Sequence, residues 1–83
     1  MPTEFEQQAA ALVAAELDIS EGEDRVRQQV MNLAKAHANG RDAQRAERLL
    51  ELLRANVTDG KRRRADILER MAQLEANAQQ KDP

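Results

Sequence analysis

Apolar residues return at heptad spacing in both halves of the chain. Phe5, Leu12, Ile19, Val26 and Leu33 recur at steps of seven, with Ala9, Glu16, Glu23, Val30 and His37 between them. In the second half, Ala46, Leu53, Gly60, Ile67 and Leu74 form one row, and Leu50, Val57, Arg64, Met71 and Ala78 the other. Alternating steps of four and three keep such positions on one side of an α-helix, where they can form a seam against a second helix. The phase survives across Ser20-Glu21-Gly22-Glu23 and across Thr58-Asp59-Gly60, two places where capping or turn residues invite a break. It therefore predicts one long helix in each half.

The halves are separated by Asn39-Gly40-Arg41-Asp42. Asn and Gly tolerate the left-handed conformation that ends helices, and an Asp can accept hydrogen bonds from the free N–H groups of the helix that follows. At the other end, Thr3 and Glu6 have capping-box spacing. The expected layout is a single domain over residues 1–83, with a helix over about 3–38, a turn at 39–42, a helix over about 43–76 and a frayed polar tail at 77–83. The fold class is all-α, an antiparallel, coiled-coil-like hairpin.

A turn near residue 41 sets a register in which facing positions sum to 83. It matches Leu33 with Leu50, Val26 with Val57 and Leu12 with Met71. Between these apolar blocks it matches Glu23 with Gly60, Ile19 with Arg64 and Glu16 with Ile67. Glu16, Glu23 and Arg64 would then form a polar seam layer that fixes register and partner choice. Val13, Leu17, Met31, Leu49, Leu52 and Leu68 fall beside the seam. So many large apolar residues on the flanks of a two-helix hairpin predict a second buried surface, and the economical use is an isologous dimer forming a four-helix bundle.

Composition supports this reading. Phe5 is the only aromatic residue and there is no Cys, which removes disulfides and thiol chemistry. An 83-residue chain buries only about 60–65% of the surface its unfolded form exposes, so self-association would strengthen a marginal core. No apolar stretch approaches the ~20 residues of a membrane span, and the beginning of the chain lacks the pattern of a secretory signal. A cytoplasmic, non-membrane protein is expected. The net charge of −2 conceals an asymmetry: residues 1–40 carry three Lys/Arg and seven Asp/Glu (3 − 7 = −4), and residues 41–83 carry ten and eight (10 − 8 = +2). Opposite signs on neighbouring helices help specify their pairing, although each exposed pair contributes only about 0–1 kcal/mol.

Candidate chemistry is sparse. Glu16 and Glu23 could work as paired carboxylates, but the chain has no Glu-x-x-His motif of the kind carboxylate-bridged metal bundles use. His37, the only histidine, is placed to meet the carbonyls of the last helical turn. No glycine-rich phosphate loop, nucleophile–base pair or zinc spacing occurs. The sequence thus points away from an enzyme, and no cofactor is expected. Lys61-Arg62-Arg63-Arg64 is the strongest functional signal, since clustered cations can contact phosphates. Four consecutive helical residues point around most of the helix, however, and no aromatic side chain accompanies them for base stacking. Contact with RNA or DNA through Lys61, Arg62 and Arg63 is accordingly the alternative to protein–protein contact.

The run from Ile19 to Gln29, then Gly40-Arg41-Asp42, Ala46 to Leu53, Arg63 and Ile67 resembles a group of short, uncharacterised helical proteins of alphaproteobacteria, especially rhizobia. The resemblance covers about residues 19–70 and implies a hairpin of bacterial origin, with no activity attached. Members of that group usually carry a bulky residue where this chain has Asp59-Gly60. The architecture is also analogous to Rop-type RNA-binding hairpins that dimerise into four-helix bundles, an analogy of fold without a shared motif.

Overall fold

In the computed structural model, which describes residues 1–80, two helices account for nearly the whole chain: α1 over Glu4–Ala38 and α2 over Gln44–Gln80. The first helix begins with the predicted capping box. The Thr3 hydroxyl accepts from the Glu6 N–H at 3.1 Å, and the Glu6 carboxylate accepts from the Thr3 N–H at 3.2 Å. Glu4 and Glu6 also stand at the positive end of the helix dipole.

α1 ends in a Schellman arrangement. The Arg41 N–H donates to the Ala36 carbonyl at 2.9 Å and the Gly40 N–H to that of His37 at 3.2 Å. This geometry needs a left-handed residue, which Gly40 supplies with φ +65°. Asp42 then accepts from the Gln44 N–H at 3.0 Å, as its side chain suggested. Neither helix breaks at Ser20 or Gly60. α2 also runs through residues 77–80, which had been expected to fray. The helix thus continues past Leu74, the last seam residue, and 81–83 lie outside the described residues.

The paired helices form a thin rod, 70 × 19 × 13 Å, with a radius of gyration of 19.1 Å. A compact globule of this length would have about 12 Å. One seam must therefore hold the molecule together. Its apolar core comprises Ala15, Ile19, Leu50 and Ile67, joined by Gly22, Gln29 and Gly60. In α2 the rows read from sequence lie in the seam from Ala46 to Leu74, while Ala78 is exposed beyond it.

In α1 the first row holds from Leu12 to Leu33, with Phe5 exposed at the open end. The second row is corrected by one position: Gln8, Ala15, Gly22, Gln29 and Ala36 turn towards α2. Glu16 and Val30 are exposed, and Glu23 is only half-buried. The cause is size. Small side chains allow the helix backbones to approach, whereas the expected row would have put two carboxylates and an imidazole into that contact.

The register changes accordingly. A Cβ on Gly22 would lie 2.9 Å from Val57 Cγ2, and one on Gly60 would lie 3.1 Å from Ile19 Cγ1. Val57 thus seats on Gly22 instead of squarely on Val26, and Ile19 seats on Gly60 in place of Arg64. Each helix presses one β-branched residue into the glycine notch of the other. Matching apolar with apolar misses this arrangement, because the tight fit pairs the largest side chains with none.

Candidate interaction surface

Charged pairs identify the two flanks of the hairpin. On one flank, Lys61 and Glu23 approach to 4.0 Å, Arg64 and Glu16 to 3.4 Å, and His37 and Glu47 to 3.8 Å. The opposite flank carries the pair of Arg70 with Glu4, in which the guanidinium Nε donates to the carboxylate at 3.0 Å. Arg64 itself lies half-buried in the seam, while Glu16 and Glu23 stand one position outside it. The proposed polar layer is therefore a lateral rung. Its long arginine stem packs in the seam and its head reaches Glu16 at the edge. Glu23 pairs with Lys61.

Two open recesses flank the glycine notches, one on each side. The first, about 350 Å³, is bordered by Glu23, Val26, Arg27, Arg54, Val57 and Thr58. The second, about 190 Å³, includes Asp18, Glu21, Arg25 and Arg63 in its rim. Both rims mix charges of opposite sign, which favours internal neutralisation over capture of a charged ligand. Among the described residues, no group of three or more His, Asp or Glu side chains gathers in a metal-binding arrangement.

The four-cation run diverges. Lys61 turns to Glu23, Arg62 follows its own helix to Asp59 at 3.7 Å, Arg63 borders the second recess and Arg64 enters the seam. Lys61, Arg62 and Arg63 consequently do not make one stripe against which a phosphate backbone could lie.

The six flanking apolar residues are all exposed: Val13 by 70%, Leu17 by 58%, Met31 by 55%, Leu49 by 46%, Leu52 by 62% and Leu68 by 48%. They do not share a face. Heptad steps place Leu68 in line with Lys61, on the first flank, and Val13 in line with Arg27, towards the outside of that flank. Leu49 is in line with Asn56, on the second flank, and Leu52 lies near it. Leu17 and Met31 share the outermost stripe of α1, directly away from α2. Gln29, which sequence reasoning passed over, is 7% exposed; its Nε2 donates to the Ala46 carbonyl at 3.0 Å. The available signal was the row itself, in which Gln8 and Gln29, three heptads apart, share a stripe with Ala15, Gly22 and Ala36.

No family model matches the chain, and no curated protein or solved structure matches it either. No helix among the described residues is long and apolar enough to cross a membrane.

Proposed function

We propose that this chain is a non-enzymatic helical hairpin that forms a homodimer, a four-helix assembly, and works through protein–protein contact. The observation that carries the reading is the imbalance between its inside and its outside. Among the described residues only four apolar side chains are buried, while Val13, Leu17, Met31, Leu49, Leu52 and Leu68 remain between 46% and 70% exposed. A lone seam leaves these residues in water, and association removes some of that cost, roughly 25 cal/mol for each Å² of apolar surface covered. A bacterial cytoplasm is the proposed setting, on the likeness of residues 19–70 to the alphaproteobacterial hairpins. The partner beyond a second copy is a protein of unknown identity.

Sedimentation equilibrium over micromolar concentrations tests the assembly. A mass twice that of the chain supports it, and a folded monomer throughout the range overturns it. Nucleic-acid binding through Lys61, Arg62 and Arg63 draws less support, because these cations diverge and two of them meet carboxylates.

A further inference from the structure

We infer that the dimer contact is made by the outer stripe of α1 against the same stripe of a second copy, antiparallel, with the two-fold axis at Asp24. The inference rests on the homodimer proposed above and names its geometry. Ala10, Leu17, Asp24, Met31 and Ala38 follow one another at steps of seven along the side of α1 that faces away from α2. The corresponding outer stripe of α2 is Arg48, Ala55, Arg62, Glu69 and Ala76. Thus α1 is apolar towards its partner helix and again on its far side, whereas α2 turns charge to solvent. A helix apolar on both sides belongs between two neighbours.

The stripe is complementary to itself when reversed. Turning a second α1 about Asp24 sets Leu17 against the partner's Met31 and Ala10 against the partner's Ala38. Beside them, Val13 meets the partner's Ala34. Large thus faces large or small in two apolar blocks, one on each side of a polar centre. That centre is already half assembled, because Arg27 donates to Asp24 within the chain. Two copies bring two carboxylates and two guanidiniums together with no net charge.

Charge complementarity at the ends selects the direction. The antiparallel pairing brings the acidic first turn of α1, with Glu4 and Glu6, towards the end of the partner's α1, whose last turn carries Lys35 and His37. It also sets the two helix dipoles in opposition. A parallel pairing would put Glu6 beside Glu6 and align the dipoles, both unfavourable.

The absence of native cysteine makes single-cysteine cross-linking of the full chain a clean test. An Asp24→Cys variant sits on the two-fold axis, where facing helices bring Cα atoms close to the 4.4–6.8 Å range a disulfide spans, roughly. Mild oxidation should convert most of it to a covalent dimer, while Leu68→Cys and Leu52→Cys stay largely uncross-linked. Because Asp24→Cys removes part of the polar centre, a second measurement keeps that centre intact. Leu17→Cys mixed with Met31→Cys should link across species, and neither should link to itself. Sedimentation of each reduced variant accompanies the cross-linking. Dimers that link through Leu68→Cys or Leu52→Cys, and not through the α1 pair, would overturn this geometry while leaving the homodimer standing. Monomers throughout would overturn both.

Discussion

Gln29 in α1 donates from Nε2 to the carbonyl of Ala46 in the first turn of α2, across 3.0 Å. Its own carbonyl oxygen accepts from Asn32 at 3.2 Å, so both ends of a nearly buried amide are engaged. The bond ties a fixed point on one helix to a fixed point on the other, which a purely apolar contact does not do. Gln29→Ala should lower stability by about 1–2 kcal/mol, the net worth of a hydrogen bond plus part of a buried stem. Gln29→Leu should come within about 1 kcal/mol of the parent, since it replaces the polar stem with an apolar one of similar volume. Urea unfolding followed by circular dichroism at fixed protein concentration measures both.

Gly22→Ala should destabilise the hairpin even though alanine is the better helix former. The new methyl would meet Val57 Cγ2 at 2.9 Å. A valine in a helix has one strongly preferred rotamer, so the side chain cannot swing away. The expected net loss is about 1–2 kcal/mol, the overpacking cost less the propensity gain. In a Val57→Ala background the same change should instead stabilise by about 1 kcal/mol, because only the propensity remains. A double-mutant cycle reads the coupling, and additivity between the two sites would contradict the notch.

Ile19 is 4% exposed and seats on Gly60. Ile19→Ala should cost about 2–4 kcal/mol, and for a domain of this size each kcal/mol lowers the melting temperature by roughly 4–8 °C. Phe5→Ala, at the exposed end of the same row, should cost clearly less. Thermal melts of the two variants, compared at equal concentration, check the ranking.

Arg64 and Glu16 should respond unequally. The arginine side chain is 33% exposed and that of its partner 52%. Arg64→Ala removes packing along the seam as well as charge and should cost about 1 kcal/mol, whereas Glu16→Gln should change stability by less than about 0.5 kcal/mol. Equal losses in chemical unfolding would mean that charge, not the stem, supplies the interaction.

The absence of a common cationic stripe predicts weak engagement of nucleic acid. Fluorescence anisotropy with labelled single- and double-stranded oligonucleotides at low salt should detect no saturable binding. Replacing Arg62 and Arg63 together should leave that result unchanged. Binding whose affinity falls steeply with added salt, and whose salt slope flattens in the double variant, would establish the alternative reading.

How far the residues announced this structure differs between the helices. The α2 seam was legible because Leu50, Leu53, Val57, Ile67, Met71 and Leu74 are large and regularly spaced. Asn39-Gly40 announced the turn, because a left-handed residue at φ +65° leaves little choice of side chain. α1 was half legible. Hydrophobicity favours Val30 over Gln29 and gives Gly22 only a helix penalty, so the row that faces α2 does not stand out from the row beside it, even though that row carries Glu16, Glu23 and His37. What decides between them is how closely two backbones can approach, and this depends on both helices at once. The flanking apolar residues were legible as a set, but their division among different faces required knowing where the seam lay.

The two glycine notches also bear on how the hairpin folds. Glycine costs a helix about 1 kcal/mol, so Gly22 and Gly60 weaken each helix locally near its middle. At those same points the other helix approaches so closely that it leaves no room for a Cβ. Each helix is thus locally weakened at a point where its partner packs closely against it. Formation of the two should be coupled, with central amides protected from hydrogen exchange only in the assembled hairpin and lost together when it opens.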